Sequence, residues 1–585
     1  MRLIFSAKTD SGSEIISRHQ SWYPQRAERI AASIILLGFL ARLCAGWGTF
    51  LNPDEALHFR LANQASLWLA YKQSLTASHP PLLTVLLYYF RFLGTSELWL
   101  RMPSILGGTV FCWTFYKWLS RENNQLAGMI GLLFGSFLFP IITLSAEIRQ
   151  YALLLGFLGC ALYLLDRATE THSAGLMAAS FGSLYLGLSS HYSGFFFAAV
   201  LGIYGLLRIL TMKPSNTIIS GWVAGQTGVL ALAVIYYKTH ISTLGAGDSR
   251  PVLQGWMSEF YLNRSYFEPG RDNPFLFVIG HTFGVFQFIF GQLAAGDIAG
   301  LLFISGLLLL WRSRGSHEPI NKSWYALWIF LLLLFIQACA LSLLHLYPYG
   351  GTRQIAYLII PTIAGVSIAI AAIARQRWVP SLIMTGAVLF LSLAFPKIHA
   401  PHMDRSDQRT RNMVSAIRFT DQHFMPSDLI FVDYQSDLIV GHYLCNQEQI
   451  VLETAPEGFE QFHCGGHQVV SADYKNAWMF SGENFLPQWE RFIQAYRLKP
   501  GQEVWIFQTG WKIALPEELR REFAQLRNLP YESFGNNIKL LKLAVGPDSM
   551  PVPVNALTAV SGLQAHSNPV PVLHSHPQPR AHPSL

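Results

Sequence analysis

Two carboxylates stand side by side in the sequence FLNPDEALHFRLANQ (50–64), directly after the first strongly apolar stretch of the chain. A carboxylate in this place can take a proton from an attacking hydroxyl group as a general base. The same residues can also begin a helix, with Asn52 as N-cap, Pro53 at the first helical position and Glu55 closing a capping box. We therefore expect Glu55 to serve the helix start and Asp54 to be available for chemistry.

A histidine follows one helical turn later. Asp54 and His58 are four residues apart, so they share one face of the predicted helix. Such a pair can bind a metal ion or form a simple hydrogen bond, and we favour the hydrogen bond.

A second acidic motif, LSAEIRQY (144–151), contains Glu147. Ser145 can cap the helix that follows, and Glu147 can interact favourably with its dipole. Capping alone would explain these residues. If Arg101 and the SSHY sequence with His191 lie on the same membrane face as the two acidic motifs, a shared polar site is the better interpretation.

A third motif, YPYGGTRQIAYLIIP (347–361), places an arginine where a helix begins. Thr352 can cap this helix, and Arg353 in its first turn opposes the helix dipole. Glycines that allow close approach, exposed amides and an arginine together indicate an anion site, most simply one for phosphate. The alternative is that Arg353 pairs with a structural carboxylate.

The composition indicates lipid surroundings for these motifs. Of the 585 residues, 51% are hydrophobic and only 13% are charged, whereas about 25% charged is usual in soluble proteins. Apolar runs of roughly 20 residues, enough to cross a bilayer, recur from Ile30 to about Pro396. The net charge of +7 does not indicate nucleic acid, because no basic cluster with interleaved aromatics accompanies it.

The distribution of Lys and Arg orients the predicted spans, because short basic loops stay in the cytoplasm. A consistent alternation requires about eleven spans, with a cytoplasmic N-terminus. It also requires that HPPLLTVLLYYFRFLG (79–94) and FLFVIGHTFGVFQFIFG (275–291) lie as helices on the outer surface. All three motifs then face outward. We expect a multi-pass protein of a bacterial inner (plasma) membrane with a periplasmic or extracellular C-terminal part.

The C-terminal part changes to the pattern of a soluble domain. DLIFVD and EVWIFQT indicate buried strands, and RNMVSAIRFTDQHF and PEELRREFAQLRN indicate helices. Cys445 and Cys464 both fall in this outer domain, where an oxidising compartment favours a disulfide. The predicted organisation is a cytoplasmic segment (1–29), a transmembrane domain (30–397), a small extracytoplasmic α/β domain (398–545) and a disordered proline-rich tail (546–585).

The ordered motifs NPDEALHF, HPPLLTVLLYYFRFLGTSELWLRMPSILGG and SAEIRQYALLLGF, within 51–157, resemble the GT-C superfamily of membrane glycosyltransferases. The resemblance is to bacterial relatives of protein O-mannosyltransferases and of the lipid A aminoarabinose transferase. It implies a polytopic α-helical fold and transfer of a sugar from a polyprenyl-phosphate carrier at the outer face. We expect a hydroxyl or phosphate as the accepting group, and we infer a single displacement with inversion. The acceptor, whether lipid, glycan or protein, is not carried over.

The same resemblance implies roles for individual residues. Asp54 matches the first-loop aspartate, which acts as catalytic base or orients the acceptor, and Glu147 matches the second-loop acidic position. Arg353 takes the place of a late-loop arginine that holds the carrier phosphate. Arg101 belongs to the family's arginine-proline-serine motif and is our second candidate for that phosphate.

A divalent metal (Mg²⁺, Mn²⁺ or Zn²⁺) held by Asp54, Glu147 or His79 is one alternative, and arginines that replace it are the other. Further candidates for contact with substrate or metal are Glu55, His58, Arg149, Tyr151 and His191. The competing function is a transporter or flippase of lipid-linked saccharides. Such a protein would place its ionisable residues at the middle of the membrane between repeated halves, whereas here they fall at predicted span ends.

Overall fold

A computed structural model describes residues 10–242, 262, 264–312, 323–394, 407–511 and 513–554. Up to residue 394 the described chain is helical. Its α-helices are α1 (Asp10–Gly46), α2 (Pro53–Ala62), α3 (Leu67–Ser74), α4 (Leu82–Phe90), α5 (Glu97–Glu122), α6 (Gln125–Phe137), α7 (Phe139–Ser145), α8 (Tyr151–Thr171), α9 (Ala174–Ser190), α10 (Gly194–Met212), α11 (Asn216–Tyr236), α12 (Pro274–Phe290), α13 (Leu293–Arg312), α14 (Ser323–Leu343), α15 (Ile359–Ile373) and α16 (Trp378–Ala394).

Seven helical segments of the described chain are long and apolar enough to cross a membrane, and α6 with α7, bent by 61°, makes eight if that pair is one span. This confirms a multi-pass membrane protein but falls short of the expected count of about eleven. The three remaining predicted spans correspond to α5, which is long but less apolar, and to α9 and α16, which have 17 residues each. The seven segments are Arg26–Gly46, Tyr151–Thr171, Gly194–Met212, Asn216–Ile241, Leu293–Arg312, Trp324–Leu343 and Arg353–Ile373.

Both helices that the sequence placed on the surface are short. Helix α4 has nine residues and is therefore about 13 Å long, well below the roughly 30 Å of a bilayer core. Helix α12 has 17 residues and exposes Phe275 and Leu276 near its start. The length of α4 agrees with an expected surface helix, whereas α12 has the same length as α9 and α16 and is not distinguished from a span by length.

Glycines let two central helices approach closely. A Cβ atom on Gly107 of α5 would lie 2.9 Å from the carbonyl oxygen of Ala152, and one on Gly156 of α8 would lie 2.6 Å from the carbonyl oxygen of Gly107. Small residues at such contacts allow backbones to pack within a membrane. This contact fixes the start of α8, and with it the preceding Glu147 motif, beside α5.

An α/β domain follows residue 407 and confirms the predicted change of fold. Its helices are α17 (Thr410–His423), α18 (Tyr434–Leu444), α19 (Gly482–Tyr496) and α20 (Leu515–Glu522). Its strands are β1 (Leu429–Val432), β2 (Phe459–Cys464), β3 (His467–Ala472), β4 (Glu503–Thr509), β5 (Glu532–Ser533), β6 (Ile538–Val545) and β7 (Pro551–Pro553).

The strands form one sheet in the order β2-β3-β1-β4-β6-β5, with β7 also paired to β6. Strand β1 is parallel to both β3 and β4, and the other pairs are antiparallel. The segments DLIFVD and EVWIFQT contain β1 and β4, as expected. Because β7 pairs with β6, the domain extends beyond the predicted boundary at residue 545; the remainder of the predicted tail, 555–585, lies outside the described residues.

The two cysteines of this domain are joined. Cys445 follows α18 and Cys464 ends β2, and the structure pairs them as a disulfide with 4.8 Å between their Cα atoms. That Cα separation lies within the usual range for disulfides. The bridge ties α18 to the edge of the sheet.

Helix α18 also packs against α2 of the membrane domain. Arg60 of α2 forms an ion pair with Asp437 of α18, with 2.7 Å between Nη1 and Oδ2. The Tyr443 hydroxyl accepts a hydrogen bond from the Leu51 amide (2.8 Å) and donates one to Glu97 (3.0 Å). The α/β domain therefore contacts the helix that begins at the Asp54 motif.

We predict that Arg60→Ala destabilises the protein by about 3 kcal/mol, because it leaves the buried Asp437 carboxylate without its partner. The measurement is the unfolding midpoint of the purified protein in denaturant. The control is Arg521→Ala, which removes an exposed partner of Glu522 in the same domain and should change stability by less than about 0.5 kcal/mol. Equal losses in the two variants would contradict a buried docking pair.

Candidate active site

The first acidic motif begins helix α2, as the sequence predicts. The side-chain oxygen of Asn52 accepts a hydrogen bond from the Glu55 amide (3.0 Å), and Glu55 Oε2 accepts one from the Asn52 amide (3.1 Å). This reciprocal pair is a capping box with Pro53 at the start of the helix. It fixes the direction in which Asp54 leaves the backbone.

Glu55 has a second partner that the sequence did not reveal. The Arg101 guanidinium donates to both of its carboxylate oxygens, at 2.7 and 2.8 Å, and both side chains are fully buried. Glu55 Oε1 also accepts a hydrogen bond from the Ile148 amide (3.0 Å). One carboxylate thus connects α2, α5 and the loop that carries Glu147.

Arg101, the second candidate for the phosphate, is bound to protein oxygens at this position. Besides Glu55, its guanidinium donates to the carbonyl oxygens of Gly46 (2.7 Å), Thr49 (2.9 Å) and Phe50 (3.3 Å) and to the Thr49 hydroxyl (2.8 Å). These contacts engage all three of its nitrogen atoms, so its donors are already committed to protein oxygens. Both carboxylate oxygens of Glu55, a further candidate for contact with substrate or metal, likewise have protein partners.

Asp54, in contrast, faces two arginines. Its Oδ2 atom lies 2.5 Å from Nη2 of Arg353 and 3.2 Å from Nη1 of Arg149. The Asp54 side chain keeps 13% of its surface exposed, while the two arginine side chains are almost fully buried. The carboxylate thus lies between two guanidinium groups and remains accessible.

The second and third motifs meet at the same arginine. Nη1 of Arg353 lies 4.0 Å from Oε2 of Glu147, and both side chains are 2% exposed. Arg353 thus contacts the carboxylates of both acidic motifs, 299 and 206 positions earlier in the chain. The sequence left open whether Arg353 binds an anion or pairs with a carboxylate; here its observed partners are Asp54 and Glu147.

The backbone around Arg353 differs from the expected helix start. Residues Arg353–Leu358 form a 3₁₀ helix, the Thr352 side chain forms no cap, and α15 begins only at Ile359. Gly350 adopts a φ of +146°, and a Cβ atom there would lie 2.6 Å from Nδ1 of His281. Glycine at this position is therefore required both by the backbone and by the close approach of α12.

The three candidate histidines lie in a row beside Arg149. His58 Nε2 is 3.2 Å from Arg149 Nη1, and the ring centroids of His58 and His79 are 5.8 Å apart. His191 continues the row, with its ring 5.5 Å from that of His79 and 5.1 Å from that of Tyr151. The structure therefore brings together candidates from four separate segments.

The aromatic ring of Tyr151 contacts the guanidinium groups of both Arg149 and Arg353. The Cζ atoms of Arg149 and Arg353 lie 5.7 and 5.8 Å from its ring centroid. Cation–π contacts of this kind attract guanidinium groups to the ring face. They position the two arginines around Asp54.

The electrostatics of the site follow from burial and from these arginines. Burial acts to raise the pKa of Asp54, but Arg149 and Arg353 outweigh it and hold the pKa well below its ordinary value. Burial and then Arg149 lower the pKa of His58 to about 3, and burial with both arginines lowers that of His191 to about 3. At neutral pH the site therefore contains an ionised carboxylate and neutral imidazoles.

The described residues contain no group of three or more His, Cys, Asp or Glu side chains placed to hold a metal ion. Both acidic motifs direct a carboxylate toward Arg353. A divalent cation at these carboxylates would be repelled by Arg353 and by Arg149. The alternative in which arginines take the place of a metal fits this arrangement better.

Ser104 is a supporting residue that sequence reasoning missed. Its hydroxyl donates to the carbonyl oxygen of Arg149 (2.8 Å) and accepts from the amide of that residue (3.4 Å). Ser104 lies one turn after Arg101 in the sequence RMPS. Its position in the same motif as Arg101 is the sequence feature from which its role was predictable. Ser104 thus anchors the motif of Glu147 and Arg149 directly to α5.

A cavity opens next to the Gly350 turn. It is lined by the start of α12 and by Gly351, and includes Arg271, Asn273, Phe277 and His281. Its lining therefore combines polar and charged groups with apolar rings. Gly351 lies two residues before Arg353, so this cavity adjoins the arginine motif.

Comparison with known proteins gives structural similarities only. No protein-family model and no curated protein matches the chain. Among solved structures, the chain is similar to ArnT from Cupriavidus metallidurans in the apo state, with 11% identity and a TM-score of 0.49 over 88% of this chain and 98% of that chain. It is also similar to the same protein bound to undecaprenyl phosphate, with 13% identity and a TM-score of 0.48 over 87% and 97%.

A further similarity is to the oligosaccharyltransferase of Archaeoglobus fulgidus in complex with Zn and sulfate, with 11% identity and a TM-score of 0.44 over 89% of this chain and 74% of that chain. These proteins are GT-C glycosyltransferases, the superfamily that the sequence motifs resemble.

We predict that the protein becomes less stable as the pH falls, because His58 and His191 are neutral in the folded state and gain protons on unfolding. Because the pKa values of His58 and His191 fall to about 3 in the folded state, the unfolded state binds more protons between about pH 3 and about pH 6.5. The stability that these histidines contribute is therefore present above about pH 6.5 and is lost as the pH falls.

The measurement is the thermal unfolding midpoint between about pH 7 and about pH 5, a range within the expected loss. We expect the midpoint to fall more steeply in the wild type than in the double variant His58→Gln/His191→Gln. Identical slopes would mean that other groups cause the acid sensitivity.

Proposed function

We propose that this chain is a membrane glycosyltransferase that moves a sugar from a polyprenyl-phosphate-linked donor to a hydroxyl or phosphate group of an acceptor. The observation that carries the proposal is the Asp54 carboxylate between the buried guanidinium groups of Arg149 and Arg353. One ionised base next to two phosphate-binding cations suits a reaction in which a hydroxyl attacks and a phosphate leaves.

The reaction needs two kinds of assistance. The acceptor hydroxyl loses its proton to Asp54 as its oxygen forms a bond to the anomeric carbon. The bond from that carbon to the phosphate oxygen breaks, and Arg353 with Arg149 stabilises the charge on the departing phosphate. A single displacement of this kind inverts the anomeric centre. A glycosidase differs, because its second carboxyl group acts as an acid or a nucleophile.

Because Asp54 is paired with two arginines, binding of the donor phosphate would also change the pKa of Asp54. In the structure, Asp54 is a weak base, because two arginines hold its pKa below the ordinary value. A donor phosphate that accepts hydrogen bonds from Arg353 and Arg149 would offset part of their positive charge and raise the pKa of Asp54. Base strength would then rise only when the donor is bound.

Glu147 would orient Arg353 in this scheme. Its carboxylate lies on the side of the guanidinium that does not contact Asp54. It remains the second candidate for a catalytic carboxylate. The histidine row of His58, His79 and His191 would border the space for the acceptor and offer neutral hydrogen-bonding groups.

We also propose that the site faces the periplasm or the cell exterior of a bacterial inner membrane, with the N-terminus in the cytoplasm. The support is the alternation of basic loops along the sequence. The donor would be presented from the lipid phase by its polyprenyl chain, and the cavity beside Gly351 is a candidate for its approach. A transporter finds less support, because Asp54, Glu147 and Arg353 lie at helix ends and not within the middle of spans.

We predict that Asp54→Asn lowers transfer by about 100-fold or more, because the amide cannot accept the proton. The measurement is mass spectrometry of surface glycolipids and glycoproteins in a deletion strain complemented with each variant. The control is Asp548→Asn, which alters an exposed carboxylate of the α/β domain and should restore the sugar fully. Near-normal transfer by a well-folded Asp54→Asn protein would exclude Asp54 as the base.

We predict that Arg353→Ala weakens binding of decaprenyl phosphate by about 1.5 to 3 kcal/mol, the scale of a lost hydrogen bond between charged groups. Arg353→Lys should recover only part of the affinity, because an ammonium group cannot form a bidentate contact. The measurement is a direct titration of purified protein.

Arg377→Ala, which changes an exposed arginine after α15, serves as the control and should bind like the wild type. If Arg353→Ala also binds like the wild type, the phosphate has to lie elsewhere, and Arg149 is the next residue to test.

A further inference from the structure

Four aromatic side chains gather on the α/β domain at the ends of its parallel strands. Tyr434 follows β1, Tyr474 and Trp478 follow β3, and Trp511 follows β4. The ring of Tyr434 lies 5.5 Å from those of both Tyr474 and Trp478, and Trp478 lies 6.0 Å from Trp511. All four are half-buried. We call these four residues the aromatic platform.

The strand order explains why they meet. From β1 the chain runs through the edge strand β2 and returns as β3 on one side of β1, and from β3 it crosses to β4 on the other side of β1. In open α/β sheets, ligands bind in the crevice beyond the carboxyl ends of the strands, where the strand order reverses direction. The aromatic platform occupies that position.

Buried hydrogen bonds hold the loops that carry it. The Asp433 carboxylate accepts from the amides of Ser436 (2.9 Å) and Phe480 (2.8 Å), so it joins the start of α18 to the loop after β3. The side chain of Gln508, in β4, donates to the Phe480 carbonyl oxygen (3.0 Å). The platform is therefore built before any ligand arrives, which reduces the entropy cost of binding.

Two polar side chains at the platform retain unused donors. Within the described part of the chain, the side-chain nitrogen of Gln435 and the indole nitrogen of Trp511 are buried and have no hydrogen-bond partner. Gln435 itself is fully buried. Gly510 allows this arrangement, because a Cβ atom there would lie 2.6 Å from the Gln435 side chain. Buried donors without partners are costly unless a ligand or water satisfies them.

The first amides of α18 and the loop after β3 do not favour an anion. The first amides of α18 are already used, since those of Tyr434 and Gln435 donate to the carbonyl oxygens of Ala477 and Trp478, and that of Ser436 donates to Asp433. The loop 473–480 contains a single cation, Lys475. Aromatic faces with a few neutral donors suit a ligand that has both apolar C–H faces and hydroxyl groups.

We propose that the aromatic platform is a saccharide-binding site, separate from the site around Asp54. Sugar rings present C–H groups that pack on the faces of Trp and Tyr, while their hydroxyl oxygens accept hydrogen bonds from donors such as Gln435 and Trp511. Binding there requires no donor lipid and no group transfer.

The aromatic platform lies on the helix of the α/β domain that contacts α2. Tyr434 is the first residue of α18, and Asp437 of the same helix binds Arg60 of α2, six residues after Asp54. A saccharide held by the platform would therefore sit on the element that contacts the Asp54 helix. Its role as the glycan portion of the acceptor rests on the proposed function; its binding does not.

The test uses the full chain in lipid nanodiscs on an array of bacterial lipopolysaccharide, capsular and peptidoglycan oligosaccharides. We expect binding to a subset of these probes. The oligosaccharide bound most strongly is then titrated calorimetrically, and Trp478→Ala and Trp511→Ala should each weaken its affinity by about tenfold, as loss of an aromatic contact does. Trp478→Phe should keep most of the affinity, because it retains a ring face.

Two controls separate this site from other effects. Trp378→Ala removes a partly exposed tryptophan at the start of α16 and should bind like the wild type. Asp54→Asn should also bind the oligosaccharide normally, so that loss of transfer and loss of saccharide binding can be distinguished. The proposal is overturned if no array probe binds, or if Trp478→Ala and Trp511→Ala, with wild-type unfolding midpoints, bind as tightly as the wild type.

Discussion

The buried ion pair between Glu55 and Arg101 is the interaction on which the site depends. It connects the end of α1, the start of α2, helix α5 and the loop before α8 through one carboxylate and one guanidinium. Burying two charges is costly, and removing one partner of such a pair typically costs about 3 to 5 kcal/mol. Because these connections meet directly beside Asp54, the position of this proposed base depends on a pair that itself has no contact with substrate in the proposed reaction.

Next to this ion pair, the arginines determine the ionisation of the neighbouring carboxylate and imidazole groups. Arg149 and Arg353 keep Asp54 ionised but weakly basic, and with burial they keep the neighbouring histidines neutral. An anionic ligand at the arginines would change both properties together. The cation–π contacts with Tyr151 limit how far either guanidinium can move. Electrostatic preorganisation of this kind stabilises charge as it develops during a reaction.

The α/β domain is connected to this site through its contact with helix α2. Its docking on α2 through Arg60 and Asp437 connects the helix of Asp54 to the sheet of this domain. The parallel strands of that sheet end at the aromatic platform, next to the start of the docked helix α18. The disulfide between Cys445 and Cys464 fixes the other end of α18 to the sheet edge. A rigid helix therefore lies between the platform and α2.

Local features were predictable from the sequence because their causes are local. Hydropathy indicated the membrane helices and the change to an α/β domain, and the order Asn-Pro-Asp-Glu predicted the capping box at α2. The residue types of Asp54, Glu147 and Arg353 indicated proton transfer and anion binding. Tertiary structure alone decided which arginine meets which carboxylate: Arg101 pairs with Glu55, whereas Arg353 pairs with Asp54, 299 positions earlier in the chain. It also decided that residues after three different strands form one aromatic platform. The physical reason is that such pairings depend on the packing of distant segments and the order of strands, which neither periodicity nor spacing along the chain encodes.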